Sequence, residues 1–340
     1  MRPTPLVFAA AGLWAASRAV RSRRRVSFDG RVVVISGGSR GLGLLVARRL
    51  VDEGARVALL ARTAADLDAA AAELGSAALA VPCDVLDRAA VEAAIATVVE
   101  QLGAPSALIH VAGVISVGPE AHMGEADYAE SVGTHFWGAF HLTEAVRPHL
   151  PTDGTARIGY VSSIGGRLAV PHLGPYSVGK HALVGYADAM RAELAADGVA
   201  VTTVAPGLLR TGSHPNAAVK GQHEKEYALF TIADANPLVS MGADRAAGKI
   251  LDALRHGDPA LTLTLPAKLA AAADGIAPGA IGAVMKAVTA LLPAPTGAAG
   301  DVRQTGWDSQ SALAPSPLTA LADKNVAPNN ELRGHAPPGT

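Results

Sequence analysis

Tyr176 and Lys180 stand four residues apart in Tyr176-Ser177-Val178-Gly179-Lys180, and Ser163 lies thirteen residues upstream. On a helix that spacing puts the phenol and the ammonium on one face, where the cation's field stabilises a phenolate. A free tyrosine titrates near ~10, so the lysine supplies the shift that proton transfer at neutral pH needs. By themselves the two residues fit equally well a helical core tyrosine with a solvated lysine one turn on. The decision comes from the turn Ser36-Gly37-Gly38-Ser39-Arg40-Gly41-Leu42-Gly43, which follows an apolar run and precedes a helical stretch. Its glycines let backbone approach a pyrophosphate, and the helix N-terminus offers N–H groups to the anion. Together the two motifs point to proton and hydride transfer beside a bound dinucleotide.

Cofactor choice is read at the end of the second apolar run, where Ala61-Arg62 stands eighteen and nineteen residues after Gly43. An acidic residue there would bond the adenosine ribose hydroxyls and repel a 2′-phosphate. Ala61 does neither, while Arg62 and Arg40 can flank a 2′-phosphate with charge-assisted bonds, so NADP(H) is expected rather than NAD(H). Asp84, just past the third run, is placed to meet the adenine edge, although a plain loop or N-cap aspartate would look the same.

These residues need a scaffold of short strands and crossover helices. Apolar runs at 32–35, 56–61, 78–81, 107–111, 157–161, 200–204 and 261–265 alternate with helical stretches. The pattern predicts an α/β, Rossmann-type doubly wound and mostly seven-stranded parallel sheet with helices on both faces. The predicted organisation is an apolar and basic N-terminal segment at 1–29, a catalytic domain at 30–266, a helical extension at 267–293, and a Pro/Gly/Ala-rich tail at 294–340 that is extended or disordered. Two long helices, Tyr128 to Leu150 and Tyr176 to Ala196, offer surfaces for a homo-oligomer.

Composition narrows the function classes. Among 340 residues, 29 Lys+Arg balance 30 Asp+Glu for a net charge of -1, which gives no case for nucleic-acid binding. A lone Cys83 excludes an intramolecular disulfide and suits a reducing, cytoplasmic location. The histidines show no ligand spacing, so no metal is expected. Residues 5–16 (PLVFAAAGLWAA) precede Arg18, Arg21, Arg23, Arg24 and Arg25. A helix of roughly 12 residues reaches only ~18 Å, short of the ~30 Å hydrocarbon core. Attachment of residues 5–25 to the cytoplasmic face of a membrane and packing on the protein's own surface fit this segment equally.

At this point the chain resembles the short-chain dehydrogenase/reductase family over residues 30 to 265. The resemblance rests on Ser36-Gly37-x-x-x-Gly41-x-Gly43, Cys83-Asp84-Val85, Ala112-Gly113, Ser162-Ser163, Tyr176-x-x-x-Lys180 and Pro206-Gly207 with Thr211. It implies that Tyr176 exchanges the substrate proton, Ser163 bonds the substrate oxygen, and Lys180 both lowers the tyrosine pKa and holds the nicotinamide ribose. Gly37, Ser39, Arg40, Gly41, Leu42, Gly43, Arg62, Asp84, Ala112 and Gly113 would line the cofactor site. Pro206, Gly207 and Thr211 would hold its nicotinamide end.

Two positions depart from the family's pattern. His135 replaces the asparagine that in the family supports a proton relay, and is either a substitute in that relay or a core histidine. His110-Val111 replaces an Asn-Asn pair whose side chains bridge strands. A lid between Thr211 and Leu238, presenting Leu208, Leu209, Tyr227 and Phe230, suits an apolar alcohol or ketone of lipid, steroid or retinoid type. The expectation is therefore a carbonyl reductase or alcohol dehydrogenase. Its alternatives are a nucleotide-binding scaffold or redox sensor that turns over slowly, and a structural membrane-associated protein.

Overall fold

The computed structural model describes residues 17–338. Seven strands form the centre: β1 (Val32–Ser36), β2 (Arg56–Ala61), β3 (Ala78–Pro82), β4 (Pro105–His110), β5 (Arg157–Val161), β6 (Ala200–Ala205) and β7 (Ala260–Thr262). All pair in parallel, in the order β7-β6-β5-β4-β1-β2-β3. A parallel sheet covered on both faces requires near-continuous apolar strands, and Val-Val-Val-Ile in β1 supplies one.

Alternate residues serve the two faces. Val33, Ile35, Val57, Leu59 and Ile109 pack with Leu44 and Leu50 of α1 (Gly41–Asp52), Leu67 of α2 (Ala64–Leu74), and Ile250 and Leu254 of α8 (Ala243–His256). Val32, Val34, Leu60 and Leu108 pack with Val91 and Ile95 of α3 (Arg88–Leu102), Leu142 of α5 (Gly138–Val146), and Leu183 of α6 (Gly174–Glu193). Strand order reverses between β1 and β4, which leaves a crevice at the carboxyl ends of the strands.

Three elements differ from expectation. The helix read over Tyr128 to Leu150 is broken: α4 (Glu125–Val132) passes through a π-helical turn, Gly133–Trp137, into α5. Glycines border the widened turn, and a Cβ at Gly138 would lie 2.6 Å from Val85 Cγ2. Such turns concentrate at functional sites, and this one carries His135 into the interior. Strand seven stops at Thr262, because Thr264 Oγ1 accepts from the Ala267 N–H (3.4 Å) and Pro266 starts a helix.

The tail is the largest difference. Instead of an extended or disordered run it is a packed series of 3-10 turns (Ala298–Asp301, Trp307–Ser309) and a short helix (Ala320–Asp323). Ala314, Ala322 and Val326 are fully buried, and Gln304–Thr305 adds an antiparallel strand to Ala218–Val219. With few large apolar side chains, the tail holds on by hydrogen-bonding the catalytic domain's own backbone groups.

Residues 5–16 lie outside the described residues. In the basic run that follows, Arg21 bonds Asp252 (2.6 Å) and Asp258 (2.8 Å), and the Arg24 carbonyl accepts from Arg157 Nη2 (2.6 Å). Part of the run thus docks on the protein's own surface. Among the described residues no helix is long and apolar enough to cross a membrane. A helical hairpin, α9 (Leu265–Ile276) and α10 (Pro278–Thr289), leaves Leu265, Leu269, Ile276 and Val284 exposed.

Candidate active site

The end of β5 delivers Ser163, whose Oγ accepts from the Gly165 N–H (3.0 Å) and starts a short 3-10 turn. That turn is tied to the next strand by a 2.7 Å bond from the Ile164 N–H to the Pro206 carbonyl. Helix α6 then begins at Gly174 with Pro175 in its first turn. It brings Tyr176 and Lys180 to the same crevice.

Lys180 is buried, its Nζ donating to the Val161 carbonyl (2.9 Å) and lying 5.7 Å from the Tyr176 ring centroid. Burial lowers its pKa to about 7. Burial also raises the Tyr176 phenol, while the Ser163 hydroxyl pulls it the other way. Burial outweighs the Ser163 hydroxyl, so the phenol is favoured over the phenolate, while the Lys180 amine is held against a backbone carbonyl. A neutral phenol is a proton donor.

The two histidines are fully buried. His135 Nε2 accepts from the Val114 N–H (3.3 Å), which places the ring proton on Nδ1, 3.2 Å from Ser131 Oγ. Its ring meets Tyr176 edge-on at 5.6 Å between centroids. Burial, the Lys180 charge and His110 hold His135 far below the ordinary range. A Cβ at Gly113 would lie 2.9 Å from His135 Nε2 and 3.5 Å from Lys180 Nζ, so the glycine admits both groups. His110 Nδ1 lies 2.7 Å from Ser36 Oγ, joining β4 to β1, and burial lowers its pKa to about 3. A neutral histidine thus provides one strand-to-strand bond.

Facing this group across the crevice is the glycine turn. Gly37 has φ 72°, a left-handed conformation that favours glycine, and a Cβ there would lie 2.7 Å from the Ala112 nitrogen. A Cβ on Gly43 would overlap the Gly37 carbonyl. Arg40 gives α1 no side-chain cap and its first turn has no acidic residue, but its Gly41 N–H donates to the Asn329 carbonyl (2.8 Å) and the Glu331 carboxylate lies against the same turn. Arg40 Nη1 is buried without a hydrogen bond. Arg62 forms no ion pair or hydrogen bond with the described residues. An unpaired Arg62, and an Arg40 that lies 3.5 Å from Glu331, beside a backbone cradle fit a phosphorylated dinucleotide.

One cavity of about 710 Å³ joins both halves. Gly37, Ser39, Arg40, Gly41, Leu42, Gly43, Arg62, Asp84, Ala112, Gly113, His135, Ser163, Tyr176, Lys180, Pro206, Gly207 and Thr211 all reach it. Asp84 Oδ1 accepts from the Leu86 N–H (3.0 Å), and Thr211 Oγ1 lies 2.7 Å from Ser213 Oγ. The N-cap of α3 is Asp87.

The lid is helix α7 (His223–Ala235), and its cleft face is Glu226, Leu229, Phe230 and Ala233, one helical stripe. Tyr227 falls off that stripe and packs with Val219, Ala228 and Ala314, which corrects its expected place over the substrate. Three cleft residues carry contacts that the sequence did not assign. Glu226 accepts from His172 Nδ1 (2.8 Å), tying the lid to the loop before α6, and His172 holds a left-handed φ of 62°. Asp234 lines the cleft with its pKa raised to about 7 by burial. The i, i+3, i+4 stripe of α7 was a usable signal for Glu226; His172 gave none.

The model of the short chain dehydrogenase family matches residues 31–220. A protein from Streptomyces coelicolor named "Putative ketoacyl reductase" is 36% identical over 200 residues, 57% of this chain and 76% of its own. Dehydrogenase/reductase SDR family member 7B of Danio rerio is 32% identical over 206 residues, 58% of this chain and 67% of its own. Levodione reductase shares the fold at a TM-score of 0.61 and 23% identity, over 69% of this chain and 96% of that one. With its parallel seven-stranded sheet and one crevice joining glycine turn and tyrosine helix, the chain belongs to the short-chain dehydrogenase family of oxidoreductases, which implies a nicotinamide cofactor and a small-molecule substrate.

Proposed function

We propose that the protein is an NADP(H)-dependent carbonyl reductase of apolar ketones, with Tyr176 as the proton donor. The observation that carries this reading is the single cavity that holds Ser163, Tyr176 and Lys180 together with the glycine turn, Arg40 and Arg62. The nicotinamide cofactor, when bound, supplies or accepts the hydride at C4. Gly37, Gly41, Leu42 and Gly43 would receive its pyrophosphate against the N-terminus of α1. Ser39, Arg40 and Arg62 would hold the adenosine phosphate, with Asp84 near the base. Ala112, Gly113, Pro206, Gly207 and Thr211 would line the nicotinamide side.

Ser163 orients the substrate carbonyl by hydrogen-bonding its oxygen. Tyr176 delivers its phenolic proton to the same oxygen as charge develops there, and burial favours the neutral donor form that this direction requires. Lys180, anchored to Val161, presents a buried positive charge that stabilises the phenolate left behind. His135, engaged at both ring nitrogens, positions the ring of Tyr176 and the loop at Val114. The substrate end of the cleft is walled by Leu208, Leu209, Leu229, Phe230, Val288 and Leu292, which supports an apolar substrate.

Fluorescence titration with NADPH and NADH tests the cofactor part. NADPH should bind at least ten-fold tighter, about 1.4 kcal/mol. A preference for NADH would overturn it. The engagement of both His135 nitrogens favours one second reading, a nucleotide-binding scaffold with slow turnover. Steady-state rates with any apolar ketone in a carbonyl panel would remove that reading.

A further inference from the structure

Residues 325–333, far past the family-matched region, return across the first βα turn. The Gly41 N–H donates to the Asn329 carbonyl (2.8 Å), and Asn329 Nδ2 donates to the Thr211 carbonyl (2.8 Å). One asparagine thus joins the glycine turn to the segment after β6, opposite walls of the cleft. Asn330 Nδ2 donates to the carbonyls of Ser39 (2.9 Å) and Asp66 (3.0 Å). Glu331, almost wholly buried, accepts from Asn216 Nδ2 (2.8 Å) and lies 3.5 Å from Arg40 Nη1.

Asn330 and Arg333 hold left-handed φ values of 58° and 50°. Such backbone costs energy outside glycine, and the surrounding bonds must sustain it. Its effect is directional: the strap turns back toward α2, and Arg333 Nε comes within 3.7 Å of Asp66 Oδ2. Arg333 lines the same cavity as Arg40, Arg62 and Thr63. Glu331 lies beside Arg40 and Asp66 beside Arg333, so the three guanidinium groups retain one uncompensated positive charge, on Arg62.

We infer that Arg333 is a third arginine for the 2′-phosphate of the adenosine, a specificity-determining residue brought to the cofactor site by the C-terminal strap. Asn329, Asn330 and Glu331 are the positioning residues that fix the strap and Arg40. A 2′-phosphate carries close to two negative charges and accepts charge-assisted bonds from several guanidinium groups. A 2′-hydroxyl offers neither, so Arg333 discriminates between cofactors rather than binding both. The inference rests on the NADP(H) reading above.

The test compares full-length protein with Arg333→Ala and with a chain ending at Leu332, which keeps the Asn329–Glu331 anchor. Dissociation constants are measured for NADPH, NADH and adenosine 2′,5′-bisphosphate, the last reporting the adenosine end without hydride chemistry. Both variants should weaken NADPH and the bisphosphate about ten-fold, roughly 1.4 kcal/mol, with NADH changed less than two-fold. If the unaltered protein prefers NADPH and the variants keep that preference, or weaken both cofactors alike, Arg333 has no such role and the Arg40–Arg62 reading stands. Tighter NADPH binding in the variants, as an obstructing strap would give, also overturns the inference. If the unaltered protein prefers NADH, the cofactor reading itself fails and this inference falls with it.

Discussion

The two ends of the cleft are built on opposite principles. At the proposed reacting end Ser163, Lys180 and His135 are buried and fixed by bonds to neighbouring backbone or side chains, with Tyr176 half-buried among them, and burial moves the pKa of Lys180 down and of Tyr176 up. At the proposed adenosine end Arg40, Arg62 and Arg333 are open to solvent in part; Glu331 lies beside Arg40 and Asp66 beside Arg333, and Arg62 keeps an unmatched charge. A dry site amplifies electrostatics and tolerates little displacement. An open, charged site gives graded affinity that salt screens. Chemistry should therefore be all-or-none at one end and selectivity adjustable at the other.

The largest difference between the ends is expected from Lys180→Met. It should lower kcat by about 10²–10⁴-fold, the usual scale for a lost acid–base group, while NADPH affinity falls far less. Equal losses in both would erase the contrast. Ser163→Ala should cost about 10²-fold in kcat, as for removal of one oxyanion donor, again seen in steady-state kinetics with cofactor affinity unmoved. At the other end, Arg62→Ala should weaken NADPH about ten-fold, roughly 1.4 kcal/mol, leave NADH unchanged, and flatten the salt dependence of NADPH binding.

A further difference is in stability against pH. His110 sits at about 3, below its ordinary 6.5, so the unfolded chain binds more protons between those values. Its contribution is complete above pH 6.5 and is lost as pH falls toward 3. Lys180 sits at about 7, below its ordinary 10.5, so by the same sign stability rises as pH climbs from 7 to 10.5. Melting temperatures across both windows check this: Lys180→Met should abolish the alkaline rise and keep the acid loss.

Much of the reacting end was legible in the chain. The spacing of Tyr176 and Lys180, the glycine turn and the alternation of apolar runs are local patterns, and each is set by the geometry of one helix, turn or strand. What could not be read is what depends on partners distant in sequence. Nothing local marks Glu331 as a neighbour of Arg40, or Asn329 as a bridge from Gly41 to Thr211, because those contacts form only when the tail folds back. The π-helical turn at Gly133–Trp137 was hidden for a related reason: its residues suit an ordinary helix, and packing of Gly138 against Val85 and of His135 against Gly113 decides otherwise. Tyr227 is a different case, since the 3.6-residue period already placed it off the stripe of Glu226, Leu229 and Phe230.

The most direct test of Tyr176-dependent reduction is NADPH oxidation with a panel of apolar ketones, run beside Tyr176→Phe, with NADPH affinity titrated for both proteins. Removing one hydroxyl from this half-buried ring should abolish turnover, by about 10³-fold, and leave NADPH affinity within two-fold. Turnover that survives in Tyr176→Phe would contradict the assignment of the proton donor and of the reaction built on it.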